Sequence, residues 1–278
     1  MFLRPRTLDE ACEALAAGDA RILSGGTDLY PAHAERPLPP RLVDLSRLDE
    51  LAGITVNPDH ICLGGRTCWL SVARAELPPA FDALKAAARE VGSIQIQSVA
   101  TVAGNLCNAS PAADGVPPLL ALDAEVELTS KAGGRRLPLS QFLLGNRRTA
   151  LRPDEIMTAI RIPRTIDEAG STFLKLGARK YLVISIAMVA AIIEAGEDKR
   201  VRQARIAVGA CSPVARRLTA LETALVGAPA RPGLGTMVED RLVEGLEPID
   251  DLRATADYRG DVVLTLLRRA IDDAAARA

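Results

Sequence analysis

The sequence has few of the side chains on which most catalytic centres depend. Aromatic residues make up 3% of its 278 residues, and only two histidines occur, His33 and His60. This scarcity argues against a histidine-based catalytic triad and against a multi-histidine metal centre. Five cysteines are present, but no two follow the C-x-x-C spacing. Neither a zinc site nor a self-contained iron–sulfur site is therefore predicted.

Long apolar runs and an excess of one charge are also absent. The longest apolar run, residues 182–193, is too short to cross a bilayer and contains Ser185. Residues 1–6 lead into no apolar segment of the kind that marks a signal peptide, so the expected location is cytoplasmic. With 34 Lys and Arg against 35 Asp and Glu, the net charge is −1. No nucleic-acid-binding surface is predicted from such a balance.

Turn residues and apolar patterns divide the chain near residue 165 into two regions. In the first, a capping box at residues 7–10 predicts a short helix, and a strand at residues 21–23 leads straight into Gly25 and Gly26. In the second, predicted strands are followed by predicted helices. The strands cover residues 172–176, 185–194 and 201–208, and the helices lie near residues 214–226, 234–245 and 257–276.

The first loop that could hold a ligand covers residues 24–29 and contains the pair Gly25 and Gly26. Glycine reaches positive φ and lets backbone N–H groups approach a phosphate without a Cβ in the way. The loop matches neither the G-x-G-x-x-G pattern nor the P-loop pattern. Taken alone, the glycine pair is weak evidence, and a plain tight turn explains it better.

The second candidate loop, residues 101–114, is rich in small, turn-forming residues and carries little charge. As an ionised carboxylate, Asp114 would accept a hydrogen bond from a ribose or ribityl hydroxyl. A structural loop held by Asx turns is the alternative interpretation. Hydroxyls and side-chain amides in the two loops could donate to phosphate oxygens, namely Thr27, Thr101, Ser110, Asn105 and Asn108.

Several motifs in order resemble one family of flavoproteins. Ser-Gly-Gly-Thr-Asp-Leu at residues 24–29, Thr-Val-Ala-Gly-Asn at 101–105 and Asn-Ala-Ser-Pro-Ala-Ala-Asp at 108–114 are similar to the FAD-binding medium subunits of xanthine dehydrogenase, aerobic carbon monoxide dehydrogenase and 4-hydroxybenzoyl-CoA reductase. Asn-Arg-Arg-Thr at 146–149 and Phe-Leu-Lys at 173–175 extend the resemblance over essentially the whole chain. The order and spacing make it far more specific than one glycine pair.

The resemblance implies an α+β fold. Residues 1–165 would form a vanillyl-alcohol-oxidase-like (PCMH-type) FAD-binding domain of two α/β subdomains, about 1–55 and 56–165. Residues 166–278 would form a C-terminal domain with a three-stranded antiparallel sheet and three helices.

The resemblance also implies which residues bind FAD, whereas no catalytic residue and no metal ligand are assigned. Asp114 would contact the polyol chain and Met157 the flavin region, and Asn108 and Ser110, the possible phosphate donors, are also counted as cofactor-binding residues. Lys175 and Tyr181 match positions near the isoalloxazine, where a lysine could stabilise negative charge on the reduced flavin; a surface ion pair is the alternative for Lys175. The pyrophosphate would be held by Leu23, Ser24, Gly25, Gly26, Thr27, Asp28, Leu29, Thr101, Ala103, Gly104 and Asn105.

Three departures from the family pattern qualify this assignment. Ala103 stands where many relatives have the first glycine of Gly-Gly-Asn. The cysteine-bearing insertion that holds an extra iron–sulfur cluster in benzoyl-CoA reductases is missing. Cys107, inside the second loop, is left as a lone thiol.

In function, the resemblance implies an FAD subunit that relays electrons from a partner's clusters to a terminal acceptor. Partners would be a large molybdopterin-binding subunit and a small subunit with two [2Fe–2S] clusters, assembled as a dimer of heterotrimers. One alternative is a self-sufficient flavin-dependent oxidase or reductase of the same fold, which would need its own substrate acids or a histidine linked to flavin. Another is a flavin-free scaffold, against which the retained Gly25, Gly26, Gly104, Asn105 and Asp114 argue.

Overall fold

The computed structural model describes residues 1–278, and its chain begins with a small parallel sheet. The sheet has the order β1-β3-β2, with both strand pairs parallel. Thr7 caps the first helix by accepting a bond from the Glu10 N–H at 3.2 Å, as the capping box predicts. The elements of this first part of the chain are β1 (Phe2–Leu3), α1 (Leu8–Ala16), β2 (Ala20–Leu23), α2 (Leu29–Ala32) and β3 (Arg41–Asp44).

A five-stranded antiparallel sheet follows, in the order β4-β5-β10-β6-β7. Its strands are β4 (Ile54–Val56), β5 (His60–Gly64), β6 (Glu125–Ser130), β7 (Gly133–Pro138) and β10 (Ile156–Pro163). Between β5 and β6 lie α3 (Trp69–Arg74), α4 (Asp82–Glu90), α5 (Ile94–Gln97), α6 (Val102–Asn108) and α7 (Val116–Ala121). The short α8 (Leu139–Phe142) and a hairpin of β8 (Leu143–Gly145) and β9 (Arg148–Thr149) precede β10.

The last part of the chain contains the three predicted strands, β11 (Gly170–Leu176), β12 (Ala187–Ala195) and β13 (Val201–Gly209). They form an antiparallel sheet, to which the two-residue β14 (Arg216–Arg217) is added. Two of the three predicted helices are present, α9 (Thr219–Leu225) and α10 (Ala256–Ala275).

The predicted helix near residues 234–245 is wrong, because this segment forms two short 3-10 turns, Leu234–Met237 and Asp240–Leu242. Gly233 has φ +100°, and a Cβ on Gly235 would lie 2.2 Å from the Arg268 carbonyl oxygen. Asp272 accepts both glycine N–H groups, at 2.9 and 2.8 Å. The backbone therefore packs directly against α10, which a regular helix with side chains would prevent.

The apolar run in β12 is buried on both faces. Met188, Ala190 and Ile192 join a core of 39 buried residues that includes the helices before β6. Val189, Ala191 and Ile193 alternate with them and join a second core of 21 residues, packed under α10. This two-sided burial explains why the segment lacks polar residues. No helix of the chain combines the length and apolar character that crossing a bilayer would require.

Candidate functional site

A cleft of about 1350 Å³ lies where the two predicted loops meet. It is also lined by residues 182–185, which lead into β12, and by residues 249–253 before α10. Every predicted cofactor-binding residue lines it except Lys175 and Tyr181: Leu23, Ser24, Gly25, Gly26, Thr27, Asp28, Leu29, Thr101, Ala103, Gly104, Asn105, Asn108, Ser110, Asp114 and Met157.

The two glycines of the first loop are required for different reasons. Gly26 adopts φ +71°, a conformation that side chains disfavour. A Cβ on Gly25 would lie 2.2 Å from the Val99 carbonyl oxygen. Gly25 therefore allows the first loop to pack against the backbone just before the second motif, and the two loops form one wall of the cleft.

The second predicted loop is in large part a helix. Residues 102–108 form α6, and Thr101 is its N-cap, accepting the Gly104 N–H at 3.0 Å. The Gly104 N–H thus has a protein partner, and the contact of this segment with a pyrophosphate stays a prediction. Ser24 Oγ lies 3.4 Å from Thr101 Oγ1, joining the first loop to this cap. The segment escapes a helix prediction because glycine and asparagine disfavour helix interiors.

Asn105 presents a buried polar atom without a partner. Its Oδ1 accepts no hydrogen bond, although it is buried beside the cleft. The nearby Gly115 allows close packing, since a Cβ there would lie 2.1 Å from the Trp69 ring and 3.3 Å from this oxygen. A buried acceptor left unpaired costs free energy, so the site fits a polar ligand that would supply a donor.

Three side chains join the first loop to the β8–β9 hairpin. Asn108 Nδ2 donates to Asp28 Oδ1 at 2.9 Å, and Asn108 Oδ1 accepts from Arg147 Nη1. Arg147 has φ +58°, and its N–H donates to Ala109, itself left-handed at φ +47°, at 2.8 Å. The Asn108 amide, predicted to face a phosphate, is thus engaged by protein groups. Arg147 brings a cation to the cleft that residue-by-residue reasoning missed.

Asp114 is buried and lies at the centre of a polar cluster. Ser185 Oγ donates to one carboxylate oxygen at 2.5 Å, and Lys175 Nζ donates to the other at 2.7 Å. Burial raises the pKa of the Asp114 carboxyl, and the bonds from Lys175 and Ser185 oppose that rise. Ser185 was not among the predicted site residues, and its position inside an apolar run is the signal that could have identified it.

Lys175 and Tyr181 lie outside the lining of the cleft. The Lys175 side chain is 6% exposed, so its ion pair with Asp114 is a buried one and not a surface pair. Tyr181 lies in the loop between β11 and β12 and is 63% exposed. Its neighbours Leu182 and Ile184 do line the cleft.

Cys107 lines the cleft as a single thiol. Burial raises its pKa to about 12. The thiol therefore stays protonated at neutral pH, whereas a metal ligand or nucleophile would have to be a thiolate.

Comparison with known protein families identifies two matches that together cover most of the chain. Residues 1–165 match the family described as FAD binding domain in molybdopterin dehydrogenase, and residues 172–274 match the CO dehydrogenase flavoprotein C-terminal domain. The chain belongs to this family of FAD-binding subunits. The resemblance inferred from the motifs is thus confirmed, and FAD is the cofactor of the family.

Relatives match the chain over nearly its full length. The putative xanthine dehydrogenase FAD-binding subunit XdhB of Escherichia coli (strain K12) is 30% identical, over 100% of this chain and 96% of that protein. The caffeine dehydrogenase subunit beta of Pseudomonas sp. (strain CBB1) is 31% identical, over 99% and 95% respectively.

Solved structures of the family share the fold. The reconstituted CO dehydrogenase from Oligotropha carboxidovorans superposes with a TM-score of 0.92 at 27% identity, covering 100% of this chain and 98% of that one. Quinoline 2-oxidoreductase from Pseudomonas putida 86 gives a TM-score of 0.89 at 26% identity, covering 99% and 96%.

The residues of the cleft are compatible with FAD. Gly25 and Gly26 remove side chains from the first loop, and the unpartnered Asn105 oxygen offers an acceptor. Neither His33 nor His60 lines the cleft. A covalent histidyl–flavin bond, the mark of the self-sufficient oxidase alternative, therefore has no residue positioned to form it.

Proposed function

We propose that this chain binds one non-covalent FAD in the cleft and serves as the electron-transferring flavin subunit of a molybdenum hydroxylase. The proposed position of FAD rests on one observation: both glycine-containing motifs and Asp114 line the same cleft. Ser24 and Thr101, the first residues of the two motifs, are 77 positions apart in the sequence, yet both line the same cleft. The family assignment supports the identity of the ligand.

In this proposal the protein binds and orients the cofactor. Residues 24–29 and 101–105 flank the pyrophosphate, Asp114 accepts from the polyol chain, and Met157 packs near the ring. When bound, FAD supplies the redox chemistry. Lys175 Nζ lies 2.7 Å from Asp114 Oδ2 at the edge of this site and, although it does not line the cleft, offsets the negative charge of that carboxylate.

The polar cluster supports an electron-transfer role over substrate activation. Asp114, the buried carboxylate of the cleft, is engaged by Lys175 and Ser185. A general base would need a free carboxylate or histidine within reach of substrate. The proposed scheme therefore assigns substrate oxidation to another subunit.

The proposed partners are inferred from the multi-subunit enzymes to which related chains belong. One relative is the carbon monoxide dehydrogenase medium chain of Hydrogenophaga pseudoflava, 28% identical over 98% of this chain. We propose a large molybdopterin-binding subunit and a small subunit with two [2Fe–2S] clusters, arranged as a dimer of heterotrimers in the cytoplasm. The proposal divides this chain into an FAD domain, residues 1–165 with subdomains about 1–55 and 56–165, and a C-terminal domain, residues 166–278.

The cofactor proposal is tested by purification of the chain. We expect a visible flavin spectrum, one FAD per chain, and release of the flavin into the supernatant after heat denaturation and centrifugation. Flavin that stays with the pelleted protein would support the covalent-oxidase alternative. A colourless chain that binds no added FAD would support the scaffold alternative.

The subunit proposal is tested by activity. The isolated FAD-loaded chain should not oxidise aldehydes or heteroaromatics, and the chain from its native source should copurify with two others. Substrate oxidation by the chain alone, without molybdenum, would contradict the proposal.

A further inference from the structure

Arg259, in the first turn of α10, is a buried arginine in the wall of the cleft. It is 1% exposed and lines the cleft. Its Nη1 donates to the carbonyl oxygens of Ile186 and, at 2.9 Å, Ala210, and its Nη2 donates to Asp251 Oδ1 at 2.7 Å. Burying a guanidinium is unfavourable unless such partners compensate the lost hydration. Its Nε remains buried without a partner.

The two carbonyl groups that Arg259 holds belong to segments in contact with the 108–114 motif. Ser185 directly precedes Ile186, and its Oγ donates to Asp114 at 2.5 Å. Ala210, with φ +62°, donates its N–H to the Pro111 carbonyl oxygen at 3.0 Å. One guanidinium therefore ties together the two strand-end segments that contact this motif at both Pro111 and Asp114.

We infer that Arg259 is a positioning residue for the flavin site. By fixing the segments at Ile186 and Ala210, it fixes the Ser185 hydroxyl and, through it, the Asp114 carboxylate. This inference rests on the proposed placement of FAD in the cleft. It assigns to the C-terminal domain a direct part in shaping a cofactor site whose two glycine-containing motifs lie in the first 165 residues.

The geometry requires an arginine. Its planar fork reaches two carbonyl groups and a carboxylate in different directions, whereas a lysine ammonium is a single point of charge on a flexible stem. Arg259→Lys would keep the charge and lose at least one of the three partners. Arg259→Met would keep most of the side-chain volume and leave both carbonyl groups and Asp251 without this donor.

Arg205 provides a matched control. It is also buried, at 4% exposure, lies on β13, the strand that leads to Ala210, and does not line the cleft. It pairs with Asp123 at 2.8 Å and donates to Thr165 at 3.0 Å. Arg205→Met should therefore destabilise the fold without changing the cofactor site.

The experiment measures FAD affinity and the visible spectrum of bound flavin in the full chain, at a temperature where circular dichroism shows each variant folded. Arg259→Met should weaken FAD binding about ten-fold and shift the flavin absorption, since hydrogen bonds to a charged group are lost. Arg259→Lys should show the same changes to a smaller degree. Arg205→Met should lower the melting temperature with FAD affinity and spectrum unchanged.

A double-mutant cycle with Ser185→Ala separates positioning from general stability. If Arg259 acts through Ser185, the loss caused by Arg259→Met should be much smaller when Ser185 is already alanine. Independent, multiplying losses would overturn the inference, as would wild-type affinity and spectrum in either folded Arg259 variant. Those outcomes leave FAD binding by the wild-type chain intact. Absence of FAD binding by the wild type would instead overturn the proposed function, and this inference with it.

Discussion

Lys175 and Asp114 form a buried ion pair across the boundary between the two matched family regions. Their Nζ and Oδ2 atoms are 2.7 Å apart, and the two side chains are 6% and 10% exposed. Removing one partner leaves the other as an isolated buried charge, which costs more than the pair itself contributes.

We therefore expect Lys175→Met to destabilise the chain by about 3 kcal/mol, measured by denaturant unfolding. Asp114→Asn should cost less, because an amide can still accept the Ser185 hydrogen bond. The double variant should recover part of the loss, since neither charge remains. Equal unfolding free energies for Lys175→Met and wild type would show that the pair is not buried in solution.

The pH dependence of the Asp114 variants follows from the direction of its pKa shift. Burial raises the pKa of Asp114 above 3.8, with Lys175 and Ser185 opposing. The folded state then binds a proton more readily than the unfolded state, so this carboxyl adds stability at low pH and loses it as pH rises through the raised pKa. Asp114→Asn should remove that decline from a plot of unfolding free energy against pH. An unchanged plot would contradict the assigned direction.

Glu155 shows the opposite shift and gives the opposite prediction. Burial would raise the pKa of Glu155, but Arg135, at 2.6 Å, and the Arg152 N–H outweigh it and hold the pKa below 4.5. Its contribution to stability is present above the unfolded-state pKa and is lost as pH falls through the lower folded-state value.

Glu155→Gln should accordingly be less stable than wild type at neutral pH and should lose less stability on acidification, as followed by thermal melting between neutral pH and pH of about 3. Glu13→Gln is the matched control, because Glu13 forms a pair with Lys131 in which both side chains are more than 60% exposed. The control should change stability by under about 1 kcal/mol. A Glu13→Gln effect as large as that of Glu155→Gln would argue against burial as the cause.

Arg147 gives a prediction about charge at the cleft. It lines the cleft and bonds to Asn108, whereas its neighbour Arg148 does not line the cleft. Arg147→Gln should weaken FAD binding by about 1 kcal/mol, and the difference should shrink at high salt. Arg148→Gln should leave affinity unchanged. Equal losses in both variants would mean that the effect is one of overall charge.

The sequence was sufficient for features that depend on local pattern. Thr7, the strands β11 to β13 and the loop at Gly25 follow from capping, alternation and turn chemistry. The family motifs supplied the residues of the two loops that line one wall of the cleft. Features that depend on contacts between distant residues were not predictable. Nothing local to Arg259 indicates that it holds Ile186, 73 positions away.

Two further differences have local causes that work against prediction. Helix α6 contains Gly104 and Asn105, which disfavour helices, yet Thr101 caps it and Thr67 accepts the Val102 N–H at 2.9 Å. A surface ion pair was the alternative for Lys175, but its ion pair with Asp114 is buried, and its ammonium also lies 3.5 Å from the Glu90 carbonyl oxygen. In both cases tertiary partners determine the outcome.

The glycine loop allows the sharpest test of where the cofactor binds. Gly26 adopts φ +71°, and a Cβ there would lie 2.6 Å from the Tyr30 ring. Gly26→Val should therefore lower FAD affinity by about 3 kcal/mol, through backbone strain and through a clash with Tyr30 that displaces the loop lining the cleft. Gly18→Val is the matched control, since Gly18 has φ +81° with no atom within 4 Å and lies outside the cleft. It should share the cost in stability without the loss of affinity.

A third variant controls for change in the second motif. Ala103→Gly should bind FAD as tightly as wild type, because relatives carry glycine there, while losing about 1 kcal/mol of stability within α6. Circular dichroism must show each variant folded before FAD titrations are compared. If folded Gly26→Val binds FAD like wild type, the loop is an ordinary turn and the cofactor lies elsewhere. If Gly18→Val loses affinity equally, the effect arises from general destabilisation and not from the cleft.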